Sequence, residues 1–128
     1  MVKRSKDNIT FDQLDTKNYN CVILTGGYET PDRVRQDERV KKFVNEMAKQ
    51  GKVVGGLCHG PWIMISAGIM KGVNACAYPG LKDDMVNPGA LVVEADVVTD
   101  KNIMTCSYYV ESGKFMRAVF DAYKTLLS

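Results

Sequence analysis

The chain has 128 residues, and 45% of them are hydrophobic, which is enough to bury the core of one globular domain. Seventeen Lys and Arg residues against fifteen Asp and Glu residues leave a net charge of +2, which excludes a strongly basic surface for nucleic acid or anionic lipid. No apolar run is long enough to span a membrane, and no apolar segment of a signal peptide follows the basic start MVKRSK. We therefore expect neither nucleic acid nor a membrane as a partner.

The first half of the chain predicts a strand, a helix and a second strand. YNCVILTGG (19–27) is a short apolar run with β-branched residues, ended by two glycines, and predicts a buried strand. Thr30 and Pro31 then predict a helix cap and a first-turn proline. KVVGGL (52–57) predicts the second buried strand. Between them, four apolar residues recur at the spacing of an amphipathic helix that Gly51 ends: Val40, Phe43, Val44 and Met47.

The second half continues the alternation. PWIMISAGIM (61–70) predicts a helix that begins on a proline, NACAYPG (74–80) a strand, and LKDDMVNPG (81–89) a short helical turn. LVVEADVVTDKNIMTC (91–106) predicts two strands that turn near Asp100–Asn102. Strands that alternate with helices indicate a single α/β domain over residues 1–128 with a mostly parallel sheet. The chain closes on a predicted helix with an apolar stripe of Met116, Val119, Phe120, Tyr123 and Leu127.

The cysteines show no metal-binding pattern. They form neither a C-x-x-C motif nor a zinc-ligand spacing, and only one histidine could assist them, so we expect no metal. The glycine pairs at 26–27 and 55–56 lack the G-x-G-x-x-G pattern of a dinucleotide site, and we expect no cofactor. Apolar surroundings of three cysteines indicate reduced, buried thiols and a cytoplasmic protein. The four are Cys21, Cys58, Cys76 and Cys106.

The only histidine, His59, directly follows Cys58 in the segment VVGGLCHGPW (53–62). The pattern places both residues in a tight turn between a buried strand and a helix, with glycines on either side that let the backbone pass close to its neighbours. A reactive side chain on such a turn stands exposed at the carboxyl edge of a sheet, as in a nucleophile elbow. A helix amino end and a neighbouring imidazolium are expected to lower the pKa of the thiol. The alternative is a buried structural cysteine beside a hydrogen-bonding histidine.

Three segments together carry a family resemblance. CHGPW, PDRVRQDE and YPGLKDDMVNPGA stand in the order and at the spacing found in the DJ-1/PfpI superfamily, and the chain most resembles its PfpI-type intracellular peptidase branch. The resemblance runs from about Phe11 to the end of the chain. It implies a flavodoxin-like fold, in which a doubly wound, mostly parallel sheet has helices on both faces as a three-layer sandwich.

The resemblance also implies a catalytic site. Cys58 is the nucleophile and His59 its partner, and the backbone N–H groups of Gly27 and His59 form the oxyanion hole. In the PfpI branch an acidic residue from a neighbouring subunit completes the triad, and the matching position here is Asp32. Family members carry a glutamate there, and this chain has one extra residue between Gly27 and Pro31. The resemblance thus implies a homo-oligomer with its active site near a subunit interface.

Two departures from the family pattern are visible. The family begins with a strand, a helix and another strand, and its first loop carries a buried glutamate that contacts the nucleophile; this sequence has only ten residues before Phe11 and no match for that glutamate. We therefore expect the apolar faces of Val22–Leu24 and Val53–Leu57 to be left uncovered. Three explanations remain open: a truncated gene product, a second chain that supplies the missing strands, or two copies of the chain that complete each other. Before the last helix, Ser107 replaces a common arginine and Tyr109 a common proline.

Three functions are compatible with these residues. The first is a cysteine-dependent hydrolase of PfpI type that acts on peptides or on glyoxal-type carbonyl adducts through Cys58 and His59. The second is a redox or stress sensor, in which Cys58 is oxidised reversibly. The third is an inactive partial subunit. Tyr108 and Tyr109 could line the pocket or pack elsewhere.

Overall fold

The architecture is a four-stranded sheet between helices. The computed structural model describes residues 8–127, so the basic start considered above for a signal peptide lies outside the described residues. The strands are β1 (Cys21–Leu24), β2 (Val53–Leu57), β3 (Asn74–Ala75), β4 (Leu91–Val92), β5 (Val97–Asp100) and β6 (Ile103–Cys106). The helices are α1 (Glu29–Val34), α2 (Glu38–Lys49), α3 (Pro61–Ser66), α4 (Lys82–Val86) and α5 (Ser112–Leu127), with short 3-10 turns at Phe11–Gln13, Thr16–Asn18, Pro79–Leu81 and Tyr109–Glu111.

The main sheet has the strand order β1-β2-β6-β5. β1, β2 and β6 are parallel, and β5 returns antiparallel to β6 through the tight turn predicted near Asp100–Asn102. β3 and β4 form a separate two-stranded parallel ladder. Parallel strands joined by helices follow from the alternation in the sequence, because a parallel pair needs a crossover connection.

Helices cover both faces of the sheet. On one face, α2 and α3 bury Phe43, Val44 and Met64 against β1 and β2. On the other face, α5 buries Phe115 and Val119 against β2, β5 and β6. The predicted fold, a flavodoxin-like doubly wound sheet in a three-layer sandwich, is confirmed.

The bounds of several elements differ from the prediction. α1 begins at Glu29 after Tyr28, so Thr30 is its second residue and not its cap, and Pro31 is its third. α3 ends at Ser66, because Gly68 adopts a left-handed φ of 75° and stops the helix. The strand expected over 74–80 is ordered as a strand only at Asn74–Ala75.

The expectation that apolar strand faces are uncovered is wrong for β2. Val53 and Val54 are fully buried, since β2 is paired on both sides and packed between α3 and α5. β1 pairs only with β2 among the described strands, and its residues Cys21–Ile23 are half-buried. Within residues 8–127, no helix is long and apolar enough to cross a membrane.

Gly60, at the start of α3, is the glycine with the tightest surroundings. A Cβ atom at this position would lie 2.1 Å from the backbone oxygen of Leu24 and 3.0 Å from the backbone nitrogen of Leu57. We expect Gly60→Ala to lower the free energy of unfolding by about 3 kcal/mol or more, because neither backbone group can move without disturbing β1 or β2. Urea unfolding measures the change.

The matched control is Gly113→Ala in α5, where a Cβ atom would meet no heavy atom within 4 Å. Alanine favours a helix over glycine, so this variant should be as stable as the wild type or more stable by up to about 1 kcal/mol. Equal stability of the two variants would contradict the close approach of Gly60 to β1.

Candidate active site

Three loops meet at the carboxyl edge of the sheet. β1, β2 and β6 end there in register, with Leu24 paired to Gly56 and Leu57 paired to Cys106. Cys58 leaves β2 at this edge, and its backbone N–H donates to the carbonyl of Cys106 over 3.0 Å. In open α/β sheets, ligands bind in the crevice outside this edge.

The turn after β2 holds Cys58 in a conformation that side chains seldom adopt. Its φ of 59° is left-handed, and only Lys101 shares this feature among the described non-glycine residues. A Cβ atom on Gly26 would lie 2.9 Å from the Cβ of Cys58, and one on Gly56 would lie 2.5 Å from the sulfur of Met64. The prediction that flanking glycines allow this close passage is confirmed.

Cys58 and His59 are in direct contact. The Sγ of Cys58 lies 3.2 Å from the Nδ1 of His59, a distance at which a thiol donates to a neutral imidazole nitrogen. His59 is only 5% exposed. Three aromatic rings surround its imidazole: Tyr28 at 4.6 Å and Trp62 at 5.0 Å, both edge-on, and Tyr78 at 4.8 Å with a tilt of 31°. The position of the imidazole is therefore set by packing.

Burial decides the protonation states of the pair. Burial raises the pKa of the Cys58 thiol above its ordinary value, and hydrogen bonds from the backbone N–H groups of His59 and Gly27 reverse this shift only in part. Burial also lowers the pKa of His59. The prediction of a lowered thiol pKa is wrong, because the loss of hydration outweighs the nearby donors. The resting pair is a neutral thiol beside a neutral imidazole.

Asp32 does not join this pair within the chain. It lies exposed on α1, and its described contacts are through the backbone: its N–H donates to the carbonyl of Tyr28 and its carbonyl accepts from Gln36. Over residues 8–127, no hydrogen bond connects its carboxylate to His59. The structure therefore brings together Cys58, His59 and the amide of Gly27, but not Asp32.

The aromatic surroundings of His59 are functional neighbours that the sequence analysis did not assign. Trp62 is the second residue of α3. Its indole N–H donates to Asp84 over 3.1 Å, and the guanidinium of Arg35 lies 5.4 Å from its ring centroid. The sequence signal for Trp62 was its position in the CHGPW segment, three residues after His59. Tyr108, one of the two tyrosines left open above, stacks on Tyr78 with 5.8 Å between centroids.

No metal site accompanies these residues. Within the described part of the chain, no group of three or more His, Cys, Asp or Glu side chains is close enough together to hold a metal ion.

The chain is similar to known proteins in sequence and in fold. The chain is 42% identical over 112 residues to the protein named Deglycase PH1704 from Pyrococcus horikoshii, and 39% identical over 112 residues to Deglycase PfpI from Pyrococcus furiosus. Each alignment covers 88% of this chain and 67% of the relative, so the chain spans about two thirds of the length of these proteins. The crystal structure of a ThiJ/PfpI domain protein from Brachyspira murdochii matches with a TM-score of 0.85 at 21% identity, over 92% of this chain and 68% of that one.

The fold and the loops at the sheet edge define an α/β protein with a cysteine–histidine turn. The sequence model of the DJ-1/PfpI family matches residues 4–122. The chain belongs to the DJ-1/PfpI family.

Proposed function

We propose that the protein is a cysteine-dependent hydrolase that acts on glyoxal-type carbonyl adducts or on peptides, with Cys58 as nucleophile and His59 as its base. The observation that carries the proposal is the 3.2 Å contact between Sγ and Nδ1 at the carboxyl edge of the sheet. The names of two relatives, both called deglycases, support the carbonyl-adduct class.

The first step is addition of the thiol to a carbonyl. His59 takes the proton from Cys58 as the sulfur forms a bond to the carbonyl carbon, and the carbonyl electron pair moves to the oxygen. Hydrogen bonding from the backbone N–H groups of His59 and Gly27 lowers the pKa of Cys58 in part, so both amides favour negative charge near its sulfur. We infer that these two amides then hold the developing oxyanion.

The second step differs between the two substrate classes. With a peptide, the protonated His59 gives its proton to the leaving amine, the C–N bond breaks, and water cleaves the resulting thioester. With a glyoxal adduct of an amine, the sulfur adds to the free carbonyl and the proton passes from His59 to the new hydroxyl. On the neighbouring carbon, which carries a hydroxyl and the amine, the hydroxyl proton passes through His59 to the amine, the C–N bond breaks and an aldehyde remains. Reversal of the sulfur addition then frees the glyoxal and returns the proton to Cys58. Both routes use the same base and the same two amides.

The raised pKa of Cys58 separates this function from that of a redox sensor. Oxidation by peroxide proceeds through the thiolate, and burial raises the pKa of Cys58 and so disfavours its thiolate. A hydrolase does not need a standing thiolate, because His59 removes the proton as the substrate arrives. The neutral pair favours the hydrolase.

A turnover assay tests the proposal. The purified protein is incubated with an adduct of a glyoxal and an amino acid derivative, and with a chromogenic peptide, and released product is followed over many equivalents of enzyme. Turnover that stops when iodoacetamide alkylates Cys58 supports the hydrolase. Complete absence of product from both substrates, with Cys58 intact by mass spectrometry, favours the inactive subunit instead.

We also propose that the site works in a homo-oligomer in a reducing compartment such as the cytoplasm. Asp32 is exposed and makes no ion pair in the described chain, so its carboxylate can face His59 of another copy. The unpaired edge of β1 offers backbone groups to a second chain. All four cysteines are free, as a reducing compartment requires.

We expect Asp32→Asn to lower kcat by about tenfold without changing the oligomeric state, because the carboxylate orients His59 and amides do not stabilise its charged form. Sedimentation velocity at micromolar concentration measures the assembly, and Glu29→Gln, one turn earlier on α1, is the control. A compact monomer that melts cooperatively contradicts the assembly, and a co-purifying second polypeptide would assign the β1 edge to a different chain.

A further inference from the structure

A row of tyrosine rings leads from His59 along the carboxyl edge of the sheet. Tyr78 lies 4.8 Å from the imidazole, Tyr108 lies 5.8 Å from Tyr78 with an angle of 27° between the rings, and Tyr109 lies 4.6 Å from Tyr108. Tyr108 is 39% exposed, so a small molecule in the crevice can reach it.

The backbone places Tyr108 beside Cys58. Leu57 and Cys106 are paired in parallel register, and the N–H of Cys58 donates to the carbonyl of Cys106, so the residues that follow β2 and β6 leave the sheet side by side. Gly27 follows β1, which flanks β2 on its other side. The turn at Cys58 therefore lies between the segment after β1, which contains Gly27, and the segment after β6, which carries Tyr108.

The phenol of Tyr108 stays a hydrogen-bond donor. The neighbouring Tyr109, through electrostatic repulsion and a hydrogen bond between the two phenols, and the loss of hydration raise its pKa above the ordinary value for a tyrosine. It remains protonated across the neutral range.

We propose that Tyr108 is a specificity-determining residue that donates a hydrogen bond to a second substrate oxygen, on the carbon next to the one that Cys58 attacks. The inference rests on the proposed function and narrows its substrate class to compounds with oxygens on two adjacent carbons. The amides of Gly27 and His59 hold the oxygen on the attacked carbon, and Tyr108 holds the oxygen on its neighbour. A peptide carries no oxygen on the neighbouring α-carbon, so it gains nothing from Tyr108.

Reversible addition of small aldehydes to Cys58 tests this without requiring turnover. Methylglyoxal and propanal both form a hemithioacetal in which the sulfur bonds to the aldehyde carbon and the thiol proton passes to the aldehyde oxygen. Only methylglyoxal has an adjacent ketone oxygen. The readout is the aldehyde concentration that half-protects Cys58 from iodoacetamide, measured by mass spectrometry of the peptide that contains it.

We expect Tyr108→Phe to raise the half-protecting concentration of methylglyoxal about tenfold and to leave that of propanal within twofold, since only the phenolic hydrogen bond is lost. Phenylalanine keeps the ring stack on Tyr78, and the melting temperature checks the fold. Tyr19→Phe makes the same chemical change just before β1, at the opposite edge of the sheet, and should shift neither aldehyde.

The outcomes separate this inference from the hydrolase itself. Equal shifts for both aldehydes in Tyr108→Phe, no shift for either, or no protection of Cys58 in the wild type overturns the role of Tyr108. Selective protection by methylglyoxal without turnover of any adduct retains the role of Tyr108 and contradicts the hydrolase. Turnover of an adduct by the wild type, together with an unchanged aldehyde preference in Tyr108→Phe, supports the hydrolase and contradicts the role of Tyr108.

Discussion

Replacing Cys58 with alanine is expected to lower kcat/KM for a glyoxal adduct by about 10³-fold or more, to the level of the uncatalysed reaction. The sulfur forms the bond to the substrate carbon, and among residues 8–127 no other side chain is hydrogen-bonded to His59. Removing it leaves the two amides with no adduct to stabilise. Initial rates at equal protein concentration measure the loss, and melting temperature confirms that the variant is folded.

Cys21→Ala is the matched control for this experiment. Cys21 is also half-buried, and burial raises the pKa of its thiol as it does for Cys58. It stands at the start of β1, at the edge of the sheet away from His59, and its loss should change the rate by less than about twofold. Residual turnover in Cys58→Ala above that of the buffer would move the nucleophile to another residue.

Local sequence signals account for most of the element order. A β-branched run that ends at two glycines predicted β1, and the apolar run KVVGGL predicted β2. The apolar spacing of Val40, Phe43, Val44 and Met47 predicted α2, whose buried face consists of those four residues. In each case the hydrophobic pattern lies within the strand or helix that it predicts, because the periodicity of apolar residues indicates which face of that strand or helix meets the core. The Cys58–His59 contact also followed from one short segment, since a strand-to-helix turn brings neighbours together.

The face of α5 shows where local periodicity fails. The predicted stripe places Val119 correctly, since Val119 is buried, but its members Met116 and Phe120 are 46% and 57% exposed. Phe115, which lies outside the predicted stripe, is buried in the core. The helix carries apolar residues around more than one face. Its rotation is decided by β2, whose Gly55 leaves room for the ring of Phe115. A contact between elements that are distant in sequence cannot be seen in the helix alone.

The site repeats this distinction between local and distant causes. The helix end and the imidazole near Cys58 were visible in the sequence and argued for a lowered thiol pKa. The burial that reverses this direction comes from how tightly the loops around Cys58 pack. Likewise, the rings of Tyr28, Trp62 and Tyr78 meet at His59 only because three separate loops end at one edge of the sheet.

Replacing His59 with alanine is expected to lower kcat/KM by about 10²- to 10⁴-fold, because the neutral thiol of Cys58 then has no base in contact with it. The pH profile separates this role from a structural one. The base must be neutral to accept a proton, and burial lowers the pKa of His59. The acid limb of kcat/KM in the wild type should therefore lie below the ordinary histidine value of about 6.5.

In His59→Ala this limb should disappear, and the remaining rate should rise with pH as the Cys58 thiol ionises at a pKa above its ordinary value. The space left between Tyr28, Trp62 and Tyr78 fits an imidazole ring, so added imidazole should restore part of the activity. Rescue by imidazole requires that a base acts at that position. If His59 only supported the fold, the variant would be less stable, imidazole would not restore its activity, and the pH profile of kcat/KM would be unchanged. An unchanged acid limb in the variant would assign that proton transfer to a different group and remove His59 from the mechanism.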